Sequence, residues 1–265
     1  MAEAERRKKD EYEESVRELS NGTYVGTFLD SKRHGEGVRV YGNGDSYEGG
    51  WKEGKRHGSG VMRFANGTIY KGPFHEGQYH GKGMLQSALS VFEGSFVNGK
   101  MEGVGKQTWS DGSEYQGEYW DGRPHGNGTR KFKSGAVYVG EFMYGCFDGE
   151  GEYLYEDGST YKGFWKADMR HGYGNWEHAG GDRFEGQWLA DVALTGKGVR
   201  IDRLTGSIYA GDISHGAYDG YGFFREGAKD GNKGGEVYEG RWMQGKRHGY
   251  GVSEGHADTG GYGSR

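Results

Sequence analysis

The chain has 265 residues, of which 56 are Gly and 2 are Pro, with 20 Tyr, 12 Phe and 7 Trp. Glycine at that level without a three-residue period excludes a collagen, and aliphatic residues are too scarce for an ordinary core, so rings must be buried against small residues. A net charge of −5 does not suit nucleic acid as the main partner, a lone cysteine (Cys146) offers no internal disulfide and makes a reducing compartment the simpler assumption, and no apolar run reaches the ~20 residues of a transmembrane segment.

In chain order, residues 1–20 come first, charged and without a signal-peptide core. Tyr12, Val16 and Leu19 recur at helical spacing, which predicts a short N-terminal helix capping the open edge of the first hairpin. A docking helix with a basic handle over Arg6–Lys9 is the sharper alternative. From 21 to 254 one pattern recurs: aromatic-x-Gly-x-aromatic, a short Gly-containing loop, then x-Gly-x-Gly. Its clearest copy is Tyr47, Gly49, Trp51, Gly54, His57, Gly58 and Gly60. The leading aromatics are Tyr24, Tyr47, Tyr70, Phe92, Tyr115, Tyr138, Tyr161, Phe184, Tyr209 and Tyr238, which number the repeats 1 to 10. Their spacings are 23, 23, 22, 23, 23, 23, 23, 25 and 29 residues.

Each repeat reads as a β-hairpin. Period-two alternation places Tyr47, Gly49 and Trp51 on one strand face, and Lys52–Arg56 is a short polar loop. Asn43-Gly44, Asn66-Gly67, Asp111-Gly112, Ser134-Gly135 and Asp157-Gly158 lie between repeats, as two-residue turn signals. Together these signals predict an all-β, elongated antiparallel meander of about twenty strands. Two registers remain open. If Asn66-Gly67 is a two-residue turn, Arg63 faces Tyr70, Trp51 faces His57 and Tyr47 faces Val61; a one-residue shift requires a bulge in every repeat. In either case Gly49, Gly58 and Gly60 leave room for neighbouring rings.

These residues resemble the MORN-repeat family, with its pattern Tyr-Glu-Gly-x-Trp-x-x-Gly-x-x-His-Gly-x-Gly. The copy at 47–60 and the one carrying Tyr238, Gly240, Trp242 and His248 match it most closely. The resemblance implies an array of twisted hairpins and a scaffold role, as in ciliary and flagellar axonemes, radial-spoke heads, parasite cytoskeletons and membrane junctions. Some relatives carry an enzyme domain downstream; after Gly251 about 14 residues remain here. Several repeats depart from the pattern. The His position becomes Glu102, Asp148, Thr195 and Asp219, and repeat 4 is entered through Ser87-Ala88-Leu89-Ser90. An insertion spans Lys229–Gly235, and regular pairing is expected to lapse after about residue 185. The tail 255–265 reads as disordered.

The chemistry is weak beside the architecture. His34, His57, His80, His125, His171 and His248 sit one per repeat, about 9–10 Å apart, too far to share a zinc ion, so no metal is expected. The Gly-x-Gly elements lie inside hairpins and lack the strand-turn-helix of a nucleotide loop. Cys146 has no activating base beside it. Neither catalysis nor a cofactor is expected. Apolar residues at loops that are polar elsewhere are the partner-site candidates: Met143, Tyr144 and Phe147 in repeat 6; Leu189, Val192 and Leu194 in repeat 8; and Leu89, with Met84 and Leu85, at the entry to repeat 4. Their alternative is folding back over the sheet end. The reading these features support is a non-catalytic structural scaffold in a cytoskeletal assembly, cytoplasmic and, by the resemblance, axonemal. Its partners are other proteins, and a homodimer is compatible with it. The rival is a peripheral adaptor touching anionic phospholipid through Lys32-Arg33, Lys55-Arg56 and Lys246-Arg247.

Overall fold

Alternating residues punctuated by glycine turns make strands, and strands are the elements that form among the described residues. The structure, a computed structural model, describes residues 13–227 and 235–255, and every helix or strand among these is a β-strand. Two compact units divide the chain, Met1–Lys133 and Ser134–Arg265. The first holds twelve strands, from Glu13–Leu19 to Arg123–Lys131; the second holds ten, from Val137–Met143 to Lys246–Glu254. Within each unit strands pair antiparallel with their sequence neighbours, Gln78–Tyr79 and Gly81–Gln86 sharing the partner Ile69–His75.

The expected N-terminal helix does not form over the described part of its span. Glu13–Leu19 is a strand, pairing Glu13 with Phe28 through Leu19 with Gly22. The strand Gly22–Leu29 would otherwise expose a row of unpaired N–H and C=O groups; seven residue pairs satisfy them, and that outweighs helix propensity. Arg17 also stacks on Phe28, 3.9 Å from its ring centre. Residues 1–12, the Lys229–Gly235 insertion up to residue 234, and the tail from 256 lie outside the described residues.

The turns are the reverse of the expected ones. Inside repeat 2 the loop is just Glu53-Gly54, flanked by the pair Lys52 and Lys55, with φ of +51° and +81°, a type I′ turn. All ten repeats place two positive-φ residues there, including Tyr144-Gly145, Ala167-Asp168 and Ala190-Asp191. Between repeats the Asn-Gly sites form three-residue loops. The Phe64 N–H donates to Thr68 O and the Gly67 N–H to Phe64 O, a type I turn closed by a left-handed glycine. One extra loop residue moves the register by one. Tyr70 therefore faces Met62, not Arg63; Tyr47 also faces Met62, not Val61; and Trp51 faces Arg56, not His57.

The one-residue alternative is thus the observed one, and its bulge sits at His-Gly. Gly49 pairs with Gly60 and Trp51 with Arg56, so three residues face five. Gly58 turns the chain with φ +70°, four residues after Gly54. Gly60 serves a different need. A Cβ there would lie 2.4 Å from the Tyr47 hydroxyl and 2.6 Å from its ring carbons. The ring therefore lies flat on the strand pair, and its hydroxyl donates to Gly50 O at 2.9 Å, a group without a ladder partner across the bulge.

Burial follows from repetition. In the first unit Tyr24, Trp51, Tyr47, Phe74, Tyr70, Phe96, Phe92, Tyr119 and Tyr115 meet edge to face in succession, with ring centres 4.9–5.4 Å apart. Each such contact contributes about 0.5–1.5 kcal/mol beyond area burial. The second unit repeats the ladder from Phe142 and Tyr138 through Trp165, Tyr161 and Trp188 to Phe184.

There the regularity lapses, but in repeat 8 alone: repeats 9 and 10 regain the regular register and bulge, so the departure expected from about residue 185 onward is confined to one hairpin. In nine repeats the residue four positions after the turn is a left-handed glycine; in repeat 8 it is Thr195, one residue having been inserted. A β-branched residue is strongly disfavoured with positive φ, so the bulge shrinks and Gly186 pairs with Gly196. Phe184 then faces Gly198, where Tyr161 of the preceding repeat faces Trp176.

Candidate functional site

One face of each sheet is closed by its own rings, leaving the other face and the turn edges. In the first unit that other face carries Glu48, Val61, Lys71, Met84, Glu93 and Lys106 in one cross-strand row. Glycine pairs such as Gly49–Gly60 and Gly83–Gly94 run beside the row and turn only backbone toward it, since a Cβ at any of them would point at the rings of the opposite face. The result is a groove of about 1100 Å³, floored by glycine backbone and walled by Pro73, Lys82, Met84, Glu93 and Val104 among others. Val104 stands 67% exposed on its wall. Alternating Lys and Glu with apolar residues between them suits a polypeptide better than a uniformly charged ligand.

The edge candidates separate. Met143 and Tyr144 are exposed together at the repeat 6 turn, and Leu189 pairs with Val192, both exposed, at the repeat 8 turn. Leu194 is half-buried. Leu89 is 72% exposed in the loop closed by the Ser87 N–H to Ser90 O bond, which is one residue shorter than its counterparts and accounts for the 22-residue spacing. Phe147 is not a surface residue. It is 8% exposed and stacks on Tyr138 at 3.7 Å and 12°, because its pairing with Phe142 turns it onto the ring face. Its place in the sequence reads as a loop, but the true loop is the two residues Tyr144-Gly145. The repeat residues sit as expected on the ring face, Tyr47, Trp51, Tyr238 and Trp242 all buried. Gly240 pairs with Gly251 as Gly49 pairs with Gly60, and His248, like His57, precedes a left-handed glycine in the bulge.

Sequence reasoning missed the exposed rings on the open face of the second unit, Phe164, Tyr173 and Tyr221, and in the first unit Trp120 at a turn edge. Phe164 follows Gly163, one position out of phase with the ring ladder, and that parity is the signal that could have found it.

The arginines of the basic pairs are engaged within the chain, while Lys32, Lys55 and Lys246 are exposed. Arg33 stacks on Trp51 at 4.4 Å and donates to Gly54 O at 2.7 Å; Arg56 donates to Gly77 O at 2.8 Å; Arg247 grips Glu236 with two bonds of 2.7 and 3.0 Å. The Arg247 and Ser253 bonds hold the Glu236 carboxyl down to about 2. His57, His75 and His80 run side by side with ring centres 5.3 and 5.5 Å apart, closer than the repeat spacing implied because His75 lies between them. Among the described residues no group of three His, Cys, Asp or Glu could hold a metal ion. The Asp168 carboxylate beside Cys146 raises its pKa, together with burial, which favours the protonated thiol. Burial pushes the phenols of Tyr24, Tyr70, Tyr161 and Tyr209 up to about 12.

Among the described residues no helix is long and apolar enough to cross a membrane. Among curated proteins none matches the chain significantly. Among solved structures, one similar chain is the SAS-4 (dCPAP) TCP domain of Drosophila melanogaster, in complex with a proline-rich motif of Ana2 (dSTIL). It is 13% identical, with 58% of this chain and 81% of that chain covered and a TM-score of 0.32, a likeness too slight to carry an argument. The family described as MORN repeat matches residues 24–46, 47–69, 70–88, 92–114, 115–137, 138–160, 161–183 and 238–255. Those segments make up well over half of the sequence and cover the hairpins of repeats 1 to 7 and 10, so the chain belongs to the MORN-repeat family.

Proposed function

We propose that the protein is a scaffold that holds other proteins on the open faces and turn edges of its sheets. The observation that carries this reading is the glycine-floored groove of the first unit, about 1100 Å³, lying opposite a face closed by its own rings. A single-layer sheet buries only what its own side chains cover, and the uncovered face is available for a partner. Within that reading we place the protein in the ciliary or flagellar axoneme; the support for this is resemblance to axonemal MORN proteins. The experiment is retention of the tagged protein after non-ionic detergent extraction of ciliated cells. Retention with the axoneme in moderate salt is expected for wild type, and Val104→Asp, on the exposed groove wall, should release it while leaving thermal unfolding unchanged. Release of wild type with membranes, with salt-sensitive flotation on anionic liposomes, would replace this reading by the lipid adaptor. The internal engagement of Arg33, Arg56 and Arg247 favours the protein platform.

A further inference from the structure

The irregular repeat leaves a hollow on the ring face of the second unit. In repeats 6 and 7 a leading ring is flanked on both sides: Tyr161 faces Trp176 across the hairpin and touches Trp188 of the next repeat. Phe184 has neither flank. Its cross-hairpin partner is Gly198, and the next repeat offers Ile213 where its counterparts offer Trp165, Trp188 or Trp242. A cavity of about 300 Å³ results, walled by Trp176, Phe184, Trp188, Ala193 and Ile213. Its volume is comparable to that of a large aromatic side chain. Arg170, Arg183 and Arg200 stand at its rim with Asp182 and Asp191. Arg170 is bound to Asp191 at 2.9 Å and Arg200 to Gly216 O at 2.8 Å, and the three cations exceed the two anions by one. An aromatic wall under a slightly cationic rim favours a ring with an electron-rich face and disfavours a second cation.

The geometry points to a binding site for one tryptophan side chain of a partner polypeptide, which takes the place of the missing ring in the ladder. Tryptophan fits the position better than phenylalanine. Trp51, Trp165, Trp188 and Trp242 each donate their indole N–H to a glycine carbonyl of a preceding repeat, those of Gly37, Gly151, Gly174 and Gly222, at 3.2–3.3 Å. Ile213 has no such donor to offer. The entering ring would meet Phe184 edge to face, as Trp188 now meets Tyr161, with Trp188 as a second wall. The inference rests on the platform reading for its partner, while the pocket itself can be tested without one.

The probe is N-acetyl-tryptophanamide added to the full chain, followed by NMR of the tryptophan indole N–H resonances. Shifts confined to Trp176 and Trp188 are expected, with tryptamine, which carries a positive charge, binding more weakly. Ile213→Trp should fill the hollow from within, raise the unfolding temperature and weaken the probe roughly tenfold; Ile213→Phe should do the same more mildly and guards against a misfolded first variant. No shift at saturating probe, or equal shifts in wild type and both folded variants, overturns the site. That failure would leave the detergent-extraction result untouched, because the groove lies in the other unit.

Discussion

Repeats 7 and 8 are adjacent and almost the same length, yet one is regular and the other is not. Both turn on Ala-Asp, at Ala167-Asp168 and Ala190-Asp191, with nearly identical positive φ values. Four residues on, repeat 7 has Gly172 at φ +62° and repeat 8 has Thr195. That single insertion costs the second repeat its left-handed bulge, and with it two residues of register, so that Phe184 faces Gly198 and not Arg200. The spacing from turn to glycine, more than the Gly-x-Gly motif itself, therefore sets the strand pairing. Gly196 and Gly198 supply the motif in repeat 8 and the regular pairing still fails.

That contrast between regular and irregular repeats is open to test. The biggest change should come with alkaline unfolding of the regular repeats. Tyr24, Tyr70, Tyr161 and Tyr209 have folded pKa values of about 12 against 10 unfolded, through burial. Their contribution is complete below pH 10 and is lost as pH rises through about 12. Thermal unfolding monitored by circular dichroism, with phenolate absorbance alongside, should fall steeply over that window; a flat profile would sink the account. Phe147→Asp places a charge against the Tyr138 ring and should cost about 4 kcal/mol, measured by urea unfolding. Gly117→Val comes next. A Cβ at Gly117 would lie 2.5 Å from the Tyr115 hydroxyl and 2.6 Å from Asn127 O, so about 3 kcal/mol is expected. Unchanged stability there would refute the account of rings lying on glycine.

Deleting Thr195 bears most directly on register. Gly196 would then stand four residues after Asp191, the bulge should return, and Phe184 should face Arg200. An Arg200 guanidinium regained beside the Phe184 ring in place of Gly198 suggests a gain of about 1–2 kcal/mol. Cross-strand nuclear Overhauser effects between Phe184 and residue 198 persisting in the deletion variant would show that spacing does not set the register. The mildest change is Tyr115→Phe, which removes the hydroxyl bond to Glu118 O at 2.8 Å and should cost about 1 kcal/mol. Repeat 8 already has Phe184 at this position, and Phe184→Tyr should gain less, because its bulge has shrunk.

Much of this molecule was legible in the chain. Period-two alternation and the recurring leading aromatics determined strands, repeat number and the ring face, because side-chain direction on a strand is local. Gly60 and its equivalents pointed to rings for the same reason. The candidate sites were less legible. Met143, Tyr144, Leu189, Val192 and Leu89 are exposed as expected, but Phe147 is buried, since a shift of a loop by two residues moves a side chain from edge to core.

The amino-acid pattern was enough to dictate that hairpins form and which residues they offer to each face. Packing between hairpins settled the register, the strand over Glu13–Leu19, the glycine-floored groove and the hollow beside Phe184. Register depends on φ at a few turn and bulge residues, and the first strand depends on an unpaired edge that exists only once its neighbour has folded.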